Sequence, residues 1–214
     1  MVSKAFIIED AGIKEIEVEY TYYTGFALVQ KQKSIASMHN KIKEQMKGEI
    51  LEISTKSPNV LGQSLSAFNL KVKYHGKLVS IENVFQSSKV FEHGGPYLDL
   101  LEVNPSQAKK DIRLRESGKL IKFKLDNKDY KLEPKTLFYD WIYCRTLFGY
   151  KDLIKELVHY NIFTDIEFNS KKSINCQARS AAFFVWLFLN DYLIESLKDF
   201  NKFEYYHKQA IVYK

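Results

Sequence analysis

The chain is sparing with the residues that staple, kink or punctuate a fold. Its two cysteines, Cys144 and Cys176, show no C-x-x-C spacing and nothing of a zinc site, so reduced, partly buried thiols of a cytosolic (cytoplasmic) protein are expected. Four prolines and nine glycines supply little material for elaborate loops, which favours long regular elements. No apolar run reaches membrane length. The most apolar, Ala181 to Leu189, is about half a span and meets Asn190-Asp191. The opening M-V-S-K-A-F-I-I-E-D runs into acidic residues too soon for a signal-peptide core. A P-loop, a Rossmann glycine pattern, a zincin motif and a G-x-S-x-G elbow are all missing. The five histidines are scattered, so no metal and no cofactor is expected.

What is present suits a packed domain. Hydrophobic residues make up 45% and aromatics 14% of 214 residues, enough for one domain with a sizeable core. The net charge of +6 is concentrated: Ser106 to Lys135 holds ten Lys or Arg against five Asp or Glu. A band of this kind neutralises a phosphate backbone, or else solubilises edge strands.

Patterning predicts an α+β, mostly helical fold with a small β portion. Ala5 to Tyr23 reads as two strands around E-D-A-G, the second alternating apolar with charged. Gln30 to Lys47 reads as a helix on Ile35, Met38, Ile42 and Met46, stopped by Gly48. Ile50 to Ile53 is a short strand, Pro105 to Arg115 a helix, and L-I-K-F-K-L with Y-K-L a hairpin around D-N-K. Pro134 opens an apolar helix with Trp141, Lys151 to His159 forms a short one, and Phe163 to Asn169 an extended segment. Arg179 to Ser196, apolar nearly all round, is the expected core helix. The resulting division is an N-terminal strand-helix extension over 1–48 packed on the core, a main domain over 49–197 and a tail over 198–214.

The working centre is Ser80 to Tyr97, S-I-E-N-V-F-Q-S-S-K-V-F-E-H-G-G-P-Y. Ser80 is a helix N-cap and Gly94-Gly95-Pro96 a stop. Glu82, Gln86 and Lys89 then share one stripe. Glu82 and Lys89 lie two turns apart, roughly 10 Å at about 1.5 Å per residue, too far to pair but able to flank a bound group.

E-N-V-F-Q-S-S-K resembles the E-H-x-x-Q-A-x-K signature of the NADAR family, whose name refers to NAD and ADP-ribose. It is preceded here by L-S-A-F-N-L (Leu65 to Leu70) and Y-H-G-K (Tyr74 to Lys77), as in that family. With Q-K-Q-K-S-I, F-Y-D-W-I-Y, F-T-D-I-E-F-N and I-N-C-Q-A, the likeness runs from about Gln30 to Tyr192. More specifically, the chain resembles the NADAR antitoxins encoded beside DarT-type DNA ADP-ribosyltransferase toxins. The resemblance implies an N-glycosidase that removes ADP-ribose from guanine in DNA. ADP-ribosylated DNA is then the substrate, ADP-ribose a ligand, and the cognate toxin a further partner. Cleavage of a small ribosylated metabolite, a non-catalytic antitoxin that binds its toxin, and a plain DNA-binding module are the alternatives.

Cleaving an N-glycosidic bond passes through an oxocarbenium-like state that needs a carboxylate, help for the departing base and a nucleophile. Glu82 suits the acid/base or charge-stabilising role, its anion favoured at a helix start. The resemblance assigns Lys89 as a nucleophile that forms a Schiff base, and Asp165 as an essential carboxylate. The substrate-binding set expected around them begins with Phe68 and Asn69 at the ribose or base, and Phe85 and Gln86 on the helix. Gly94, Gly95 and Tyr97 follow, then Trp141 as a stacking wall, with Glu167 and Asn175 beside Asp165.

Overall fold

The computed structural model describes residues 1–74, 76–169 and 173–211. His75 of the Y-H-G-K turn and Ser170 to Lys172, after F-T-D-I-E-F-N, lie outside the described residues. The apolar alternation of the N-terminus becomes a hairpin, β1 (Val2–Glu9) and β2 (Gly12–Glu19), in antiparallel register from Val2 opposite Glu19 to Glu9 opposite Gly12. β1 also pairs, antiparallel, with β9 (Ile162–Thr164), which runs parallel to β3 (Ile50–Glu52). The sheet order β2-β1-β9-β3 therefore puts the first strand inside the sheet.

Period two then sorts the sheet's side chains between two cores. Ala5, Ile7, Val18 and Ile162 face α1 (Leu28–Gln45) and its buried Ile35, Met38 and Ile42. Phe6, Leu51 and Phe163 belong to the larger core with α8 (Gln177–Leu189), buried from Ala178 to Leu187. α6 (Leu137–Leu147) and α10 (Phe200–Ala210) complete that core, Phe183 meeting Phe203 edge-on. The expected core helix stops short of Ser196. Asp191 takes a left-handed conformation (φ 60°), and a separate α9 (Leu193–Lys198) follows.

Two small sheets flank the working centre. β4 (Lys71–Tyr74) and β5 (Lys77–Ser80) form one, and β6 (Lys89–Phe91), β7 (Leu120–Leu125) and β8 (Lys128–Tyr130) the other. The β7–β8 hairpin turns on Asp126 and Asn127, both left-handed (φ 50° and 60°), the conformation a two-residue hairpin demands. The basic helix expected over Pro105 to Arg115 is two pieces, α4 (Pro105–Lys110) and α5 (Arg113–Glu116). They part at Asp111, whose carboxylate accepts from Arg113 N at 2.9 Å. α2 (Val60–Ser64) and α7 (Lys151–Leu157) pack on the outside. No helix among the described residues is long and apolar enough to cross a membrane.

Candidate active site

α3 (Ile81–Ser87) is shorter than the sequence suggests. Ser80 caps its start, its hydroxyl accepting from Asn83 N at 3.1 Å. Its end comes at two serines rather than at the glycines. The Ser87 and Ser88 hydroxyls both donate to the carbonyl of Val84, at 3.1 and 2.6 Å. The chain then enters β6, and Lys124 N donates to Ser88 O at 2.7 Å. Lys89 is thus the first residue of a strand and not part of the helical stripe, and the switch folds its side chain back over the helix end.

The result is a linear chain of polar groups. Lys89 Nζ donates to Gln86 Oε1 at 2.7 Å, and Gln86 Nε2 donates to Glu82 Oε1 at 2.8 Å. Glu82 and Gln86 are buried, and the Lys89 amine sits 4.7 Å over the Phe85 ring. Phe85 is itself held by Phe123, Phe138 and Tyr139. Burial pushes the Lys89 pKa down to about 8; Glu82 opposes the shift and Lys109 adds to it. Lys109, on α4, lies 3.8 Å from Glu82 Oε2 and 5.4 Å from the centre of the Phe68 ring.

Asp165 follows β9 directly. The extended segment expected over Phe163 to Asn169 ends at Thr164: the chain turns, Glu167 N donating to Asp165 Oδ1 at 3.0 Å and Phe168 N to Asp165 O at 3.2 Å. Asp165 and Glu167 therefore do not share a strand face. Asp165 is buried, whereas Glu167 points outward and pairs with Lys31 at 3.3 Å. Burial, and then the charge of Glu52, hold the Asp165 pKa well above the usual carboxylate range. The charges of both Glu82 and Asp165 act on the buried Tyr139 phenol, whose pKa burial raises, and Lys109 acts on Glu82, Lys89 and Asp165 alike. The three expected catalytic residues thus lie within electrostatic range of Lys109.

Sequence reasoning missed three groups there. Glu52, at the end of β3, is fully buried. Its Oε1 accepts from Ile166 N at 2.7 Å and its Oε2 from Thr164 Oγ1 at 2.6 Å, with Ser54 a further donor. Burial raises its pKa as well. Because Thr164 gives its proton to Glu52, it accepts from His39 Nε2 at 2.9 Å; burial and Lys43 depress the His39 pKa to about 4, leaving a neutral ring. Gln177, at the start of α8, ties the parts together. It donates to Ile53 O at 2.7 Å, accepts from Ala67 N at 2.8 Å and hydrogen-bonds Asp165. Lys109 is the third. Glu52 reads in sequence as one more exposed charge, and only its strand pairing brings it to Asp165.

The expected binding residues divide. Phe68 lies beside Glu82, whose N donates to Ala67 O at 3.0 Å. Asn69 turns away: its Nδ2 donates to Gln63 O at 2.8 Å, and it lines an open groove of about 740 Å³ against Tyr150 and Leu153 that contains none of Glu82, Lys89 and Asp165. Gly94 and Gly95 form the turn behind Lys89. Gly95 is left-handed (φ 85°), and a Cβ there would run into the Lys89 carbonyl. Tyr97 bonds Ser117 and lies under the Arg113 guanidinium, 4.5 Å from it. Asn175 keeps a buried Oδ1 without a partner among the described residues. Trp141 is core, not a stacking wall. It packs edge-on against Phe200 and Phe203, because it lies two positions along α6 from Tyr139 and so faces α10.

No three His, Cys, Asp or Glu side chains among the described residues converge as a metal site. No curated protein matches the chain. A family model described as DarT1-associated NADAR antitoxin matches residues 4–214, taking in the N-terminal strands, Glu82, Lys89, Asp165 and α10. The chain belongs to the family of DarT1-associated NADAR antitoxins.

Proposed function

We propose that this antitoxin is an N-glycosidase that removes ADP-ribose from guanine in DNA, with Lys89 as its nucleophile. The observation that carries the reading is the half-buried amine of Lys89, hydrogen-bonded through Gln86 to the Glu82 carboxylate. With a pKa near 8, about a quarter of the amine is neutral slightly above neutral pH, against about one part in a thousand at the ordinary lysine value. Glu82 supplies the proton traffic. The ribose ring opens at C1 to an imine of the guanine nitrogen, and the Lys89 amine adds to that carbon. A proton delivered through Glu82 lets guanine leave with its amine restored, and C1 remains bound to Lys89 as an imine. Water then adds, the C1–Nζ bond breaks, and ADP-ribose departs as the aldehyde. The net change is hydrolysis of one C–N bond. Asp165, holding a proton, donates to the ribose hydroxyls.

The test is to incubate purified protein with DarT-modified DNA in the presence of borohydride and to map adducts by mass. The expected result is free ADP-ribose without borohydride, and with it an ADP-ribosyl adduct on the Lys89 peptide. The activity profile should rise with pH through about 8 and level off, as a neutral-amine nucleophile requires. Release without any adduct, from a Lys89→Arg variant as active as the wild type, would make water the nucleophile. No release at all would defeat the glycosidase reading.

A further inference from the structure

Lys109 is the second cation of the site and, unlike Lys89, it is open to solvent: its side chain is 58% exposed, against 6% for Glu82. At 3.8 Å from Glu82 Oε2 it is beyond hydrogen-bond reach, and its ammonium donates no hydrogen bond among the described residues. The nearby guanidinium has no such freedom. Arg113 is held by Asp99 and Asp111, with Nε–Oδ1 of Asp111 at 2.9 Å, and is stacked on Tyr97.

Two buried carboxylates, Glu82 and Glu52, lie in this locality beside the buried Asp165 acid. A diphosphate that arrives with the ribose brings negative charge to a locality already acidic, and it needs a cation there. Lys89 cannot fill that role while acting as a neutral nucleophile. We propose that Lys109 is a movable clamp for the diphosphate of the substrate, pairing with Glu82 in the structure and exchanging that carboxylate for diphosphate oxygens on binding. The exchange frees Glu82 Oε2 to face the ribose. This inference rests on the glycosidase reading above.

The physical case is a comparison of two partners for one ammonium. Glu82 offers a single carboxylate oxygen without a hydrogen bond. A diphosphate offers several oxygens and more charge, and charge-assisted hydrogen bonds are the stronger kind. Four flexible carbons let Lys109 reach either partner while its stem stays over Phe68. The charge of Lys109 also works against protonation of Lys89, so the clamp and the nucleophile are matched. Two lysines thus divide the work, one by staying charged and the other by losing its proton.

Two measurements test the clamp. One compares kcat/KM on DNA carrying the whole ADP-ribosyl adduct and on the same DNA after a pyrophosphatase and a phosphatase have trimmed the adduct to ribose. Both rates are taken on the alkaline plateau of the pH profile. Wild type should prefer the whole adduct by about 10- to 100-fold, the range of one or two charge-assisted contacts. In Lys109→Gln that preference should collapse, mainly through KM, and Lys109→Arg should restore part of it. The other measurement needs no turnover: the affinity for free ADP-ribose should fall by about 10-fold or more in Lys109→Gln. An undiminished preference, a loss equal on both adducts, or unaltered ADP-ribose affinity overturns the clamp. If wild type binds ADP-ribose through Lys109 but releases none from DNA, the clamp stands and the glycosidase reading falls.

Discussion

At the residue scale the site turns on two carboxylates that share one buried place. Glu52 is met by three donors, Ile166 N, Thr164 Oγ1 and Ser54, whereas Asp165 is met by Glu167 N and Gln177. The better-supplied group carries the charge, so Glu52 is the anion and Asp165 holds the proton. Replacing Glu52 by Gln removes the charge that raises the Asp165 pKa. Activity of the Glu52→Gln variant should therefore fall at alkaline pH where wild type still sits on its plateau, with the Ile166 N–H still satisfied by the amide oxygen. Asp165→Asn gives the complementary result. An acid whose folded pKa is raised stabilises fully below its unfolded value, near 3.8, and loses that contribution as pH rises through the folded value. Thermal melts between pH 5 and 8 should then fall more steeply with pH in wild type than in Asp165→Asn, while the variant loses about 100-fold or more in turnover. Parallel melting curves for the two proteins would mean that Asp165 is ionised in the fold.

At the scale of elements, what could be read from sequence was what local periodicity or turn chemistry encodes. Ile35, Met38 and Ile42 announced α1, which ends at Gln45 with an extended Met46, two residues ahead of the expected Gly48 stop; Asp126-Asn127 announced the β7–β8 hairpin. The end of α3 was illegible because no glycine or proline marks it. Serine hydroxyls and pairing with β7 end the helix, and a stripe that fits a helix as far as Phe91 hides both. Glu52 was illegible for a different reason, since Thr164, its partner, is 112 residues away. The basic segment was legible as charge but not as surface. Lys122 pairs with Asp129 at 2.7 Å and Lys131 with Glu204 at 2.9 Å, whereas Lys110, Arg115 and Lys119 are among the cations that are exposed and outside any ion pair among the described residues. If these three track the DNA backbone, reversing them to Glu should weaken binding to modified DNA and flatten its logarithmic salt dependence by about 2 to 3 units. Titrations at several salt concentrations decide this, and an unaltered slope would assign the band to solubility.

At the scale of the whole molecule, the first 48 residues and the candidate site share one sheet. β1 lies between β2 and β9, and β9 delivers Asp165 at its end. From α1, His39 bonds Thr164 and Lys31 pairs with Glu167, so both sides of the Asp165 turn are held from the N-terminal portion. Phe6, Ile7, Val18, Ile35, Met38 and Ile42 are all buried. At about 1.5–3 kcal/mol each, their burial contributes about 9–18 kcal/mol, which matches or exceeds the roughly 5–15 kcal/mol net stability of a typical domain. Deleting residues 1–48 should accordingly leave a chain without a cooperative thermal transition and without activity, not a smaller working domain. A portion that merely served as a platform for substrate or partner would give the opposite outcome: a truncated protein that melts cooperatively and still turns over a modified mononucleoside. Circular dichroism melts of the truncated chain, followed by that assay, separate the two. The milder variant His39→Ala keeps the helix and removes only its bond to Thr164. It should fold, and it should lose activity through a less firmly held Asp165 turn, which points to the same coupling without the loss of the core.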